Sequence, residues 1–145
     1  MRKLLVSTLA AIALAGAASA QTPPRLNANT AAIGELGLIM GLSDQKAEEI
    51  VAKRPYASTA AFDAVAGQGL TPEQRSKLYE QVFIPIDLNK AARAEIMLIP
   101  GMTARMAHEF EEYRPYASLA QFDKEIGKYV PAAEVARLRS YVVLK

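Results

Sequence analysis

The stretch Arg54-Pro55-Tyr56-Ala57-Ser58 recurs unchanged sixty residues later as Arg114-Pro115-Tyr116-Ala117-Ser118. The similarity extends beyond these two blocks. Residues 26–85 align with residues 86–145 without a gap, and about a third of the aligned positions are identical. Similarity at one constant offset is the signature of an internal duplication. The sequence therefore predicts two tandem units of about sixty residues, unit 1 (residues 26–85) and unit 2 (residues 86–145).

The apolar residues of each unit have helical spacing. They fall at steps of three and four residues, as Ala32, Leu36, Ile39 and Met40 in unit 1 and as Ala92, Ile96 and Ile99 in unit 2. Further apolar steps carry a second helix, through Ala47, Ile50 and Val51 or Ala107 and Phe110, and a fourth helix, through Leu78 and Val82 or Leu138 and Val142. The sequence predicts an all-α fold with four helices, or two helical hairpins, in each unit.

Helix ends are marked by residues that cap or stop helices. Gly41 and Gly101 interrupt the first helix of each unit, and Pro55 and Pro115 stop the second because proline lacks an amide donor. Four hydroxyl residues are predicted N-caps: Ser43, Ser58, Thr103 and Ser118. We also expect Gly67 and Gly127 to end the third helices, and capping boxes at Thr71 with Gln74 and at Ser118 with Gln121.

The N-terminus has the profile of a signal peptide. Arg2 and Lys3 precede an uncharged apolar run that ends near Gly16, and Ala18-Ser19-Ala20 supplies the small residues of a cleavage site. The run is too short to span a bilayer as a helix. The sequence predicts export to the periplasm and cleavage of the signal peptide after Ala20. Residues 21–25 would then be a spacer, and the mature chain would not associate with a membrane.

Composition argues against several classes of function. The chain has 17 Lys+Arg, 15 Asp+Glu, one histidine and no cysteine, so the mature protein is near neutral and forms no disulfides. The sequence offers no paired nucleophile and base, no metal-ligand cluster and no Gly-rich nucleotide loop with its lysine. We therefore predict no enzymatic activity, no cofactor, no metal and no small-molecule substrate, and we expect His108 to be an ordinary surface residue.

The segment Leu98-Ile99-Pro100-Gly101-Met102-Thr103-Ala104-Arg105 resembles the turn and second helix of a helix-hairpin-helix motif. The openings Leu26-Asn27-Ala28-Asn29-Thr30-Ala31 and Asp87-Leu88-Asn89-Lys90-Ala91 are similar to those of the ComEA competence-protein family. The chain is also similar to the extrinsic subunit U of photosystem II. This resemblance implies a tandem helix-hairpin-helix fold that binds double-stranded DNA without sequence preference.

The resemblance places phosphate contacts at the hairpin turns. By position, the implied DNA-binding residues are Gly41, Leu42, Ser43 and Lys46 in unit 1 and Gly101, Met102, Thr103, Arg105 and Lys128 in unit 2. The motif's second glycine is replaced by Ser43 and Thr103, where positive backbone torsion would be harder to adopt. The second turn is Gly67-Gln68-Gly69 in unit 1 but Gly127-Lys128-Tyr129 in unit 2.

Charge favours unit 2 as the DNA-binding unit. Unit 1 has five Lys+Arg against seven Asp+Glu, whereas unit 2 has nine against eight. The basic candidates in unit 2 are Arg105, Arg114, Lys124, Lys128, Arg137 and Arg139. Arg54 and Arg114 could instead complement helix C-termini, and Tyr56, Tyr113 and Tyr116 are more simply packing anchors with exposed hydroxyls than base-stacking residues. The alternative function is a protein-interaction or structural module that has lost DNA binding.

Overall fold

The computed structural model describes residues 24–145, so the predicted signal peptide and most of the spacer lie outside the described residues. Helices dominate the described chain. The elements of unit 1 are β1 (Leu26–Asn27), α1 (Ile33–Leu36), α2 (Asp44–Ala52), α3 (Thr59–Ala66), α4 (Pro72–Gln81) and β2 (Val82–Phe83). Those of unit 2 are β3 (Ile86–Asp87), α5 (Arg93–Ile96), α6 (Ala104–Glu112), α7 (Leu119–Ile126), α8 (Ala132–Arg139) and β4 (Val142–Val143).

The predicted helix caps are largely confirmed. The hydroxyls of Ser43, Ser58, Thr103 and Ser118 each accept the backbone N–H three residues on. Thr71 and Gln74 form a reciprocal capping box, and Gly67 and Gly127 follow the last residues of α3 and α7. The capping box at Ser118 was wrong, because the side chain of Gln121 accepts from the N–H of Ala117 instead.

Short parallel strands accompany the helices, and the structure is mostly helical, consistent with the predicted all-α fold. β1 pairs with β2, and β3 pairs with β4, each over two residues. Val82 and Val142 therefore lie in strands and not in the fourth helices. Two residues are too few to show the alternation of apolar and polar residues by which a strand is predicted. The pairing also joins the start of each unit to its end, which no local pattern indicates.

The core consists of the inward faces of these helices and strands. Leu36, Ile39, Ile96 and Ile99 are buried as their spacing predicts. Ala32, Ala92 and Met40 are exposed, which corrects their assignment to the apolar face. Rings pack through both units, with Phe62 against Tyr56 and Tyr79 in unit 1 and Phe122 against Phe110 and Tyr116 in unit 2.

The two units are packed against each other. The ring of Phe83, in β2, meets the ring of Tyr141 edge-on with 4.9 Å between the centroids. Both residues are fully buried, and the guanidinium of Arg25 lies 3.2 Å from the centroid of the Tyr141 ring. At another point of contact the carboxylate of Glu95 accepts the N–H of Ala60 at 3.3 Å. Side chains of unit 1 and unit 2 are therefore in direct contact.

An asparagine links the opening of each unit to the repeated Arg-Pro-Tyr block, in which the Arg-Pro bonds are cis. The amide of Asn89 accepts the N–H of Tyr116 at 2.7 Å and donates to its carbonyl at 3.0 Å, and Asn29 binds Tyr56 in the same way. Two backbone groups of a buried tyrosine are thus paired by one side chain in each unit.

We expect Asn89→Ala to lower the free energy of unfolding by about 2 kcal/mol, because it leaves two backbone groups of Tyr116 without their partner. Urea denaturation followed by circular dichroism measures this loss. Lys90→Ala, at the neighbouring exposed position, is the control and should change stability by less than about 0.5 kcal/mol. Equal losses in the two variants would show that the asparagine bridge contributes nothing.

Candidate nucleic-acid interface

The α5–α6 turn, residues 97–103, is the first candidate for a phosphate contact. Gly101 adopts a left-handed conformation with φ of 73°, and the N–H of Met102 closes the turn on the carbonyl of Ile99 at 3.0 Å. Thr103 caps α6, with its hydroxyl accepting the N–H of Met106 at 3.1 Å. A glycine is required at position 101 because a side chain is strained at this φ.

Three amides at the start of α6 are free. The N–H groups of Thr103, Ala104 and Arg105 donate to no acceptor within residues 24–145. They carry the partial positive charge of a helix N-terminus, and the side chain of Arg105 is exposed beside them. This turn can therefore offer a phosphate both backbone donors and one full charge.

Loss of the motif's second glycine introduces no strain in either unit. Ser43 has φ of −76° and Thr103 has φ of −105°, both in the extended region where side chains are tolerated. The expectation that these residues would oppose a positive torsion was wrong, because only Gly41 and Gly101 adopt one in these turns. Each hydroxyl instead occupies one helix amide, which leaves one donor fewer for a phosphate.

The α1–α2 turn, residues 37–43, has the same backbone but lacks the charge. Gly41 has φ of 86°, and the N–H of Leu42 donates to the carbonyl of Ile39 at 3.1 Å. The ammonium of Lys46 binds the carboxylate of Glu49 at 2.6 Å and the carbonyl of Val65 at 3.2 Å. It is directed toward α3, and the position equivalent to Arg105 is Gln45.

Lys128 is also engaged within the fold. Its ammonium pairs with Glu125 and lies 5.1 Å from the centre of the Tyr113 ring. The ion pair raises the pKa of Lys128. The hydroxyls of Tyr113 and Tyr129 share a hydrogen bond of 2.7 Å beside it. Unlike Gly69 in unit 1, Tyr129 has no positive φ, so the second turn of unit 2 is not a copy of the second turn of unit 1.

Most basic candidates of unit 2 have partners. Arg137 donates to the carbonyl of Pro100 at 2.8 Å and to both carboxylate oxygens of Glu134, so it supports the α5–α6 turn from behind. Arg139 pairs with Asp123 at 2.5 Å. Within the described residues, only Arg105 and Lys124 of the six candidates form neither an ion pair nor a hydrogen bond through their side chains.

Arg114 and Arg54 bind backbone rather than ligand. Arg114 donates to the carbonyls of Leu88 and Ala91, at 2.5 and 2.8 Å, and Arg54 donates to the carbonyl of Ala28 at 2.6 Å. They secure the opening segment of each unit instead of the helix C-termini. The recurrence of this arginine in both units could have suggested a structural role. The carbonyls that it binds could not have been identified from the sequence.

Tyr56 and Tyr116 are packing residues, as predicted, but their hydroxyls are not exposed. The hydroxyl of Tyr56 donates to the carbonyl of Ile50 at 2.8 Å. That of Tyr116 donates to the carbonyl of Glu109 at 3.4 Å, and both side chains are buried. Neither ring is open to a base.

Sequence reasoning missed one prominent surface. Leu38 and Met40, in the α1–α2 turn, are 84% and 85% exposed, and Ile33 nearby is half exposed. The run Leu38-Ile39-Met40 is the signal that could have revealed it, since three consecutive apolar residues cannot all face one core. His108 is exposed, 3.5 Å from Glu112, and no group of three or more metal-ligating side chains occurs in residues 24–145.

Comparison with protein-family models, with curated proteins and with solved structures gives no match for this chain. Among the described helices, none combines the length and the apolar character needed to cross a membrane.

Proposed function

We propose that this chain is an exported, non-catalytic protein of the ComEA-like helix-hairpin-helix type that binds double-stranded DNA without sequence preference. In this proposal the signal peptide directs it to the periplasm and is removed after Ala20. The contact with phosphate is made by the α5–α6 turn of unit 2. The observation that carries the proposal is the set of three unpaired amides at the start of α6, beside the exposed side chain of Arg105.

Backbone amides suit a ligand whose repeating units all present the same chemical group. Phosphates of DNA are identical along the duplex, so contacts to them give affinity and orientation without reading a sequence. The left-handed Gly101 removes a side chain from the turn and lets backbone come near an anion. Arg105 adds the charge that makes such binding depend on salt.

Unit 2 is the stronger candidate because unit 1 lacks its charge. Gln45 stands where unit 2 has Arg105, and Lys46 is neutralised by Glu49. Asp44 and Glu48 add negative charge to α2, the helix that would approach the phosphate. We therefore assign unit 1 a supporting role, in which it packs against unit 2 through Phe83.

A protein-interaction module is the second candidate function. The exposed side chains of Leu38 and Met40 favour it, because two large apolar residues on one turn are typical of a surface that meets another protein. This function requires no anion site and no contribution from Arg105.

The test of DNA binding is the affinity of the mature chain, residues 21–145, for a short duplex at low and physiological salt. We expect binding at low salt that weakens steeply as salt rises. Arg105→Gln gives unit 2 the residue that unit 1 carries, and it should weaken binding about fivefold and reduce the salt slope by about one.

Lys53→Gln is the matched control, since it removes one charge from an exposed lysine of unit 1. It should leave the affinity within about twofold of the original chain. Equal effects of the two substitutions would show that net charge alone, and not the α5–α6 turn, sets the affinity. Absence of binding at low salt would reject the DNA-binding function and leave the interaction module.

A further inference from the structure

The α5–α6 turn of unit 2 lies against helix α4 of unit 1. The two elements line one cleft, to which α4 contributes Pro72, Arg75, Ser76 and Tyr79 and the turn contributes Met97 to Met102. Pro100 is buried and Leu98 is partly buried in this arrangement. Helix α4 thus faces the apolar residues of this turn across the cleft.

The equivalent turn of unit 1 is more exposed. Leu38 occupies the position equivalent to Leu98, and Met40 the position equivalent to Pro100. Leu38 is 84% exposed and Met40 is 85% exposed. Because residues 38 and 98 are both leucine, the difference between them arises from their surroundings and not from their chemistry. Within residues 24–145, Leu38 lines a pocket with Pro24 and with Glu80 and Gln81 at the end of α4, and it remains largely exposed.

Unit 2 presents the converse surface. The positions equivalent to Pro72, Arg75, Ser76 and Tyr79 are Ala132, Val135, Ala136 and Arg139 on α8. All four line an open groove with Gly127 and Val130, with Asp123 at its edge. Valine and alanine replace Arg75 and Ser76, so these two positions of the groove are apolar, while Arg139 replaces Tyr79 and pairs with Asp123.

We propose that two copies of this chain associate head to tail, with Leu38 and Met40 of one copy seated in the α8 groove of the next. The contact repeats between molecules the relation that α4 and the α5–α6 turn have within one molecule. Unit 1 is net acidic, with five Lys+Arg against seven Asp+Glu, and unit 2 is net basic, with nine against eight. Contact between unlike units is therefore favoured over contact between like units.

A contact of this kind is heterologous, because each copy uses two different surfaces. Such contacts continue into chains or close into rings, whereas a two-fold contact stops at the dimer. The apolar turn is small, so the association is weak and depends on protein concentration. Neither surface includes Arg105, so the proposal stands whether or not the chain binds DNA.

The experiment is sedimentation velocity of residues 21–145 from about 10 μM to about 1 mM, the range expected for a small interface. The mean mass should rise with concentration beyond that of a dimer. Met40→Glu in the turn, or Ala136→Glu in the groove, should hold the protein as a monomer. Both sites are exposed, so the variants retain the fold, which circular dichroism verifies.

Ala133→Glu is the matched control, because Ala133 is exposed on the same helix but does not line the groove. It should associate as the original chain does. A mixture of Met40→Glu with Ala136→Glu is the decisive sample, since each variant keeps the surface that the other has lost. The mixture should form dimers and nothing larger.

Three results would overturn the proposal. The first is an original chain that stays monomeric to about 1 mM. The second is a mixture that does not associate although the original chain does, which would indicate a symmetric contact. The third is an equal loss of association in Ala133→Glu and Ala136→Glu, which would reflect added charge alone.

Discussion

Tyr141→Ala is expected to lower the free energy of unfolding by about 3–5 kcal/mol, the cost of removing a large aromatic side chain from a core. The ring of Tyr141 is fully buried, contacts Phe83 edge-on and lies under the guanidinium of Arg25. These partners belong to the other unit or to the segment before it, so the substitution removes contact between the units. Urea denaturation measures the loss.

Tyr141→Phe is the control for this substitution. The Tyr141 hydroxyl is buried and has no hydrogen-bond partner within the described residues. Its removal should therefore cost less than about 1 kcal/mol, or stabilise the protein slightly. A loss of similar size in Phe83→Ala, with a double variant less destabilised than the sum, would locate the effect in the ring pair. A loss below about 1 kcal/mol in Tyr141→Ala would show that this contact does not stabilise the fold.

Alkaline pH is expected to destabilise the protein steeply above about pH 10. Burial raises the pKa of Tyr79, Tyr116 and Tyr141 above the ordinary tyrosine value, and in Tyr79 the hydrogen bond of 2.5 Å to Asp63 raises it further. All three side chains are almost fully buried. Each must keep its proton while the chain is folded.

The sign follows from the protons bound in each state. Above the unfolded pKa of about 10, the unfolded chain releases these protons and the folded chain retains them, so stability falls as pH rises toward the folded pKa values. Each tyrosine contributes about 1.4 kcal/mol per pH unit in this window, and its stabilising effect is complete below about pH 10.

Urea denaturation at several pH values between about 8 and 12 tests the slope, with near-ultraviolet absorbance reporting tyrosinate. Tyr116→Phe is the comparison, because it removes one of the titrating groups and keeps the ring. Its free energy of unfolding should fall less steeply with pH than that of the original chain, by about 1.4 kcal/mol per unit. The same stability at about pH 8 and about pH 12 would contradict the prediction.

The helix boundaries could be predicted because their causes are local. A hydroxyl at Ser43 or Thr103 bonds an amide three residues away, and such a bond depends on the neighbouring residues alone. Gly101 required its left-handed turn for a similarly local reason. The prediction for Gln121 failed because a second local donor, the N–H of Ala117 one residue before the N-cap, was within reach of its side-chain oxygen.

The side-chain partners of three basic candidates were not assigned, although two of these partners, Glu49 and Glu125, lie only three residues away. Lys46, Lys128 and Arg114 are basic residues at plausible positions for a phosphate contact. Lys46 binds Glu49 and the carbonyl of Val65, and Lys128 pairs with Glu125. Arg114 binds the carbonyls of Leu88 and Ala91. The strand pairs join residues more than fifty positions apart, and no periodicity within two residues announces them.

By itself, the sequence determined the duplication, the helical spacing and the ends of most helices, because each depends on residues a few positions apart. The tertiary structure alone decided which cations are free and which apolar turn is covered. Leu38 and Leu98 have equivalent places in the two units, yet Leu38 is 84% exposed and Leu98 is partly buried. The physical reason is that the exposure of a residue depends on the elements that the fold places around it, and these elements differ between the two turns.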